Sequence, residues 1–164
     1  MRLSKAIAGI AVGALALAAS AVTTPAKVEG NKIILGSAIS FTGKYASNGY
    51  NLAVKVINAA GGVTVGGKSY MLEIQYYDDE STPARTAQLL ERLIKQDGIK
   101  YMLGPYSSST TKAAAPVTEK YKIPMVEAEG ASRSLFTQGY RHLFAVLSTS
   151  EQYLASSIAL AAAL

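Results

Sequence analysis

The chain has 164 residues, long enough for one well-buried domain and too short for two ordinary ones. It carries no cysteine, which excludes disulfides, thiolate metal sites and attachment of a lipid to an N-terminal cysteine. The formal net charge is +5, but Arg2 and Lys5 lie in a segment expected to be removed and the other Lys and Arg are scattered, so no nucleic-acid partner is expected.

Arg2 and Lys5 precede the apolar run Ala6 to Ala19, which leads into Ala19-Ser20-Ala21. This pattern predicts a secretory signal peptide over residues 1–21, cleaved after about Ala21, with Ala26 as the second choice. The competing reading, a retained anchor, meets the objection that the run is shorter than the roughly 20 residues that span a bilayer. A polar linker is expected over residues 22–31, and a folded unit over 32–164.

Lys32 to Ser40 reads as a strand buried on both faces, followed by a loop from Phe41 to Tyr45. From Asn48 to Ala60, the positions Leu52, Val56, Ile57 and Ala60 recur at helical spacing, and Gly61-Gly62 stops the helix. Gly66-Gly67 predicts a turn or short hairpin before a second strand from Met71 to Tyr77. Asp78, Asp79 and Glu80 at its end read as caps and dipole partners of the next helix, with an acid/base pair or a hard-cation site as the alternatives. That helix starts at Ser81-Thr82-Pro83, with Thr82 as N-cap, and presents Ala87, Leu90, Leu93 and Ile94 before Asp97-Gly98 ends it.

Tyr101 to Leu103 is a third strand, running through Gly104-Pro105 into Ser107, Ser108, Ser109, Thr110 and Thr111. A helix follows from about Thr110 to Lys120, in which Pro116 is expected to cause a bend or a shortening. These hydroxyls either cap the helix or, with the unpaired N–H groups of its first turn, hold an anion. Ile123 to Val126 is a fourth strand, ending in the polar turn Glu127 to Ser132. His142 to Leu147 is a fifth, and Ser150 is expected to cap a last helix from about Glu151 to Leu164.

Strand and helix alternate, so the expected fold is α/β: an open parallel, Rossmann- or flavodoxin-like sheet with helices on both faces. Ligands of such sheets bind outside the carboxyl ends of the strands, where the loops Phe41–Tyr45, Asp78–Ser81, Pro105–Ser109 and Ala128–Ser132 would gather. His142, the one histidine, reads as structural, and neither a G-x-S-x-G elbow nor a phosphate-binding glycine motif occurs. The chain is therefore not expected to be an enzyme, nor to hold a cofactor or metal.

Five segments, in order, carry a resemblance: KIILGSAISFTGKYASNGYNLAVKVINAAGG, YYDDESTPARTAQLLERLI, DGIKYMLGPYSSSTT, YKIPMVEAEGASRSL and YRHLFAVLSTSEQ. Together they resemble the periplasmic substrate-binding proteins of branched-chain amino acid ABC transporters, the leucine/isoleucine/valine type, over nearly everything after the signal. The resemblance implies the first lobe of a type I periplasmic-binding-protein fold, ending before a second lobe. It implies that Ser108 and an adjacent N–H bind a ligand carboxylate. It further implies that the Ala131 carbonyl and Ser132 hydroxyl meet its ammonium and carboxylate, and that Tyr45 covers it; Ser107 and Tyr106 are expected as neighbours. The implied partners are a small amino-acid ligand, or a related amide, and an inner-membrane permease that takes it from the full-length form. Glu127 and Glu129 depart from the small or hydroxyl residues of leucine-type members and are expected on a solvated face, with an ammonium contact as the alternative. The other readings are an exported sensory or interaction module that self-associates through the face a missing lobe would leave open, a non-functional truncated lobe, and, last, a serine hydrolase.

Overall fold

A computed structural model describes residues 27–42 and 45–163; the expected signal segment and the first half of the linker, residues 22–26, lie outside the described residues. In chain order the elements are β1 (Val28–Glu29), β2 (Lys32–Ala38), α1 (Tyr45–Ala59), β3 (Val63–Val65), β4 (Lys68–Tyr77), α2 (Pro83–Lys95), β5 (Met102–Leu103), α3 (Ser108–Tyr121), β6 (Met125–Glu127), β7 (Leu143–Ala145) and α4 (Ala155–Ala163). The strands form one sheet in the order β3-β4-β2-β5-β6-β7, with β1 paired to β2.

From β4 to β7 the neighbours run parallel, as the alternation of strand and helix requires. Two antiparallel additions extend the parallel sheet: β3 on β4, the short hairpin expected at Gly66-Gly67, and β1 on β2, which was not expected. Both follow from tight reversals. Gly66 and Gly67 each have positive φ, 56° and 79°, which suits a short hairpin turn, and Gly30 has φ 62° between β1 and β2.

The main core lies between the sheet and the pair α2 and α3. Ile34 and Ala38 of β2 meet Leu90, Leu93 and Ile94 of α2 and Ala114 and Ala115 of α3. The α2 face is the one its spacing predicts, although Ala87 is only half-buried and Thr86 is fully buried. Thr82 is the N-cap residue by position, but its hydroxyl donates to the Glu80 carbonyl at 3.3 Å and caps no helical N–H.

Other expectations need correction. α3 begins at Ser108 and runs through Pro116 without ending. Pro116 lacks the N–H that would meet the Lys112 carbonyl, and both residues are on the exposed side, where water can take that carbonyl. α4 begins at Ala155, after a 3-10 turn over Ser150–Gln152 whose N-cap is Thr149; Ser150 caps no helix.

α1 lies on the other face of the sheet, against β4, and starts at Tyr45, earlier than expected. Its expected apolar face is not the one it buries: Leu52 and Val56 are 63% and 60% exposed. Polar anchors set its rotation instead. Asn58 donates from Nδ2 to the Leu72 carbonyl at 2.9 Å and accepts the Leu72 N–H at 2.8 Å, completing the β4 edge where β3 has ended. Tyr50 donates to the Gly104 carbonyl at 3.0 Å, and Tyr76 of β4 donates to Asn51 Oδ1 at 3.0 Å. Burial pushes the Tyr76 phenol up to about 12. Asn58→Ala should cost about 1–2 kcal/mol, the net worth of two half-buried hydrogen bonds. Faster hydrogen exchange at the Leu72 amide would confirm the cause, and unchanged exchange would remove Asn58 from that role.

Candidate functional site

The parallel strands all end at one edge, and the loops that follow β2, β4, β5 and β6 close over it. Each loop is held by its own polar residues. After β2, Phe41 N–H reaches across to Asp78 Oδ1 at 3.2 Å. After β4, Asp79 is fully buried and takes the Ser81 N–H at 2.9 Å and the Thr86 hydroxyl at 2.7 Å. These bonds fix a turn in which Glu80 and Ser81 have φ of 51° and 57°. Asp78 and Asp79 thus close loops and accept no N–H of α2, whose first turn holds no acidic residue, so the expected capping of that helix is corrected.

The turn after β5 separates two jobs that the sequence left mixed. Ser107 is the N-cap of α3, its Oγ accepting from Thr110 N–H at 3.5 Å, and it takes φ 86° to do so. Ser108 Oγ instead accepts the N–H of Ser132, 3.1 Å away in the turn after β6. Since that bond uses an oxygen lone pair, the Ser108 hydroxyl proton remains available to a ligand. It stands at the first residue of α3, where the N–H groups of the first turn lack intrahelical carbonyls and the helix end carries partial positive charge.

The structure therefore brings Ser108 and Ser132 together. Ser132 Oγ is 2.9 Å from Ser134 Oγ, and the Ala131 carbonyl accepts Ser150 N–H at 2.9 Å, so part of its acceptor capacity is already used. Tyr45, first residue of α1, and Tyr106, just before the N-cap, are 81% and 46% exposed at the same edge. Ser107 Oγ lies 3.0 Å from Ser109 Oγ. The arrangement offers a hydroxyl and helix-terminal N–H groups to an anion.

It offers little to hydrolysis. His142 stands at the opposite edge, at the start of β7, with Nδ1 3.0 Å from Glu119 Oε2. Burial acts to raise the Glu119 pKa, but bonds from the His142 ring and the Arg141 and His142 N–H groups prevail and hold it below its ordinary value.

Glu127 is the residue that sequence reasoning misplaced. It is fully buried rather than on a solvated face. Its carboxyl takes the N–H groups of Glu129 and Gly130 on Oε1 and lies 2.7 Å from Thr111 Oγ1 on Oε2. Burial pushes its pKa up. The signal was present in the strand period: Met125 and Glu127 are two residues apart in β6 and so face the same way, into the core.

Comparison with known proteins agrees with the fold. A family model described as periplasmic binding protein matches residues 33–163. A Leu/Ile/Val-binding protein homolog 8 from Brucella suis is 31% identical over 160 residues, 96% of this chain and 38% of its own. Among solved structures, an ABC transporter substrate-binding protein from Desulfitobacterium hafniense in complex with Leu superposes with a TM-score of 0.68 at 26% identity, covering 80% of this chain and 38% of that one. A solute binding protein of an ABC transporter from Rhodopseudomonas palustris, in complex with p-hydroxybenzoic acid, gives 0.69 at 26% identity, with 80% and 36% covered. The chain thus spans less than two-fifths of the length of these relatives. Sheet order, the loops gathered at one edge and a match that runs from β2 to the end of α4 place the chain in the family of periplasmic binding proteins.

Proposed function

We infer that this chain forms the ligand-gripping first lobe of a solute receptor for an ABC uptake system. The receptor binds the carboxylate of a branched-chain or similar amino acid without covalent chemistry. The observation that carries this reading is the Ser132 N–H bond to Ser108 Oγ, which aims an unspent hydroxyl proton and the start of α3 at one place. Ser108 and the first N–H groups of α3 hold the carboxylate, Ser132 and the free lone pair of the Ala131 carbonyl orient the head group, and Tyr45 and Tyr106 shield it. The protein is exported, its leader removed after about Ala21, and the full-length form hands its ligand to an inner-membrane permease. The greater length of the relatives is consistent with a second lobe that supplies side-chain selectivity.

A second reading is favoured by the Ala131 carbonyl, whose bond to Ser150 N–H leaves less for an ammonium group. A carboxylate without an ammonium, such as the hydroxybenzoate held by the Rhodopseudomonas palustris neighbour, would suit that arrangement. Calorimetric titration of the full-length protein separates the two. Leucine, isoleucine or valine should bind, and leucinamide, which lacks the carboxylate, should bind at least about tenfold more weakly, the loss of one charged hydrogen bond. Binding of 4-hydroxybenzoate in preference to leucine would select the second reading, and equal binding of leucine and leucinamide would overturn both.

A further inference from the structure

Glu127 is a carboxyl with no solvent and, among the described residues, no ion pair. A buried carboxylate left without a cation is costly, and the usual escape is to keep the proton. The hydrogen-bond geometry allows the protons to be counted. Thr111 Oγ1 lies 2.7 Å from Glu127 Oε2 and 2.8 Å from the Ser107 carbonyl, yet a hydroxyl has one proton to give. If it goes to an ionised Glu127, Thr111 Oγ1 and the Ser107 carbonyl meet at 2.8 Å with no proton between them, while that carbonyl keeps the Thr111 N–H at 3.1 Å. If Glu127 Oε2 carries a proton and gives it to Thr111, Thr111 gives its own to Ser107, and Oε1 accepts from the N–H groups of Glu129 and Gly130. Both close oxygen–oxygen contacts of Thr111 then hold a proton.

The same atoms join the two turns of the site. Through Thr111 and the Ser107 carbonyl the chain reaches the N-cap of α3, and through Glu129 and Gly130 it reaches the turn that carries Ala131 and Ser132. The packing leaves the carboxyl one place: a Cβ on Gly104 would come within 2.5 Å of Oε2, and one on Gly130 within 2.8 Å of Thr111 Oγ1 and 3.0 Å of the Glu127 carboxyl carbon. We propose that Glu127 is a positioning residue held as the neutral acid, whose proton-matched chain through Thr111 fixes the distance between the two ligand-holding turns.

Its surroundings pull both ways: burial disfavours the charged form, the bonds from Thr111 and from the Gly130 and Glu129 N–H groups favour it, and burial prevails. Thr111 is its contact from α3, and Gly104 from β5. Leu135 packs at Gly130 from the 3-10 turn Arg133–Leu135. The Glu129 charge adds to burial in disfavouring ionisation of Glu127, and Tyr50, on α1, is itself pushed well above its ordinary value chiefly by burial. A carboxyl whose pKa is raised by folding stabilises the fold fully below its unfolded value, about 4.3, and loses that contribution as pH rises through the folded value.

The role in positioning rests on the proposed site; the protonation does not, and the two are tested separately in the full-length protein. Glu127→Gln imitates the neutral acid, with an amide oxygen for Oε1 and an N–H for the proton given to Thr111. It should keep leucine affinity within about threefold and flatten the fall in stability with rising pH, whereas Glu127→Ala should weaken leucine binding about tenfold or more, the loss of one buried bonded partner. Difference infrared spectra should contain the carbonyl stretch of a protonated carboxylic acid that Glu127→Gln removes. Absence of that band, or an unchanged pH profile in Glu127→Gln, overturns the neutral acid even if no ligand is found. A Gln variant as weak in binding as the Ala variant, or an Ala variant that binds as well as wild type, overturns the positioning role. If the Ala variant does not fold, the Gln variant and the infrared band still decide.

Discussion

Leu93→Ala in the full-length protein is expected to lower the free energy of unfolding by about 2–5 kcal/mol, the usual cost of removing a buried leucine and leaving a cavity. Leu93 is fully buried in α2, inside the cluster that binds α2 and α3 to β2. Its neighbours cannot close the gap easily. Ala114 and Ala115 are already small, and Ala38 lies on a strand held by parallel neighbours on both sides. Both helices lead directly to the site, since α3 begins at Ser108, so the loss should also loosen the ligand turn. Urea denaturation measures the effect; a change below about 1 kcal/mol would mean that this interface relaxes far more than close packing allows.

Ser108→Ala should weaken binding of an amino-acid carboxylate by about 1.5–3 kcal/mol, the worth of a hydrogen bond to a charged group, which corresponds to a loss of roughly ten- to 150-fold. Two effects combine. The ligand loses the hydroxyl donor, and Ser132 N–H loses the oxygen that draws its turn toward α3. Thermal stability should change little by comparison, because the capping of α3 belongs to Ser107 and not to Ser108. Unchanged affinity by titration would remove Ser108 from the site. A loss of affinity matched by an equal loss of stability would assign it a structural role only.

Much of the fold was legible in the sequence because its signals are local. The period of α2 named Leu90, Leu93 and Ile94, and all are core residues. Gly66-Gly67 announced a hairpin, and β3 and β4 form one. The errors have particular causes. Leu52 and Val56 look like a buried stripe, but α1 is turned by Asn58, Tyr50 and Asn51, whose partners on β4 and after β5 are distant in sequence. Pro116 looks like a break, yet the lost bond is on the exposed side and the helix continues. The hydroxyl cluster was visible, but which serine caps α3 and which instead accepts an N–H from the next turn depends on Ser132, a residue 24 positions away from Ser108.

Local pattern was enough to order the strands and helices from β2 onward, to name the α2 face and to identify the kind of residues found at one end of the sheet. Periodicity, glycine and proline act within a few residues of themselves and can be read without knowing what lies across the fold. It took the assembled fold to bury Glu127 against Thr111 instead of leaving it solvated, to set the Ser132 N–H on Ser108 Oγ, and to place the Ser150 N–H on the Ala131 carbonyl. Each of those facts is a pairing between a donor and an acceptor brought together from separate loops. The stakes of such pairings rise as water is excluded, so the assembled edge of the sheet, and no single segment of the chain, sets what these side chains do.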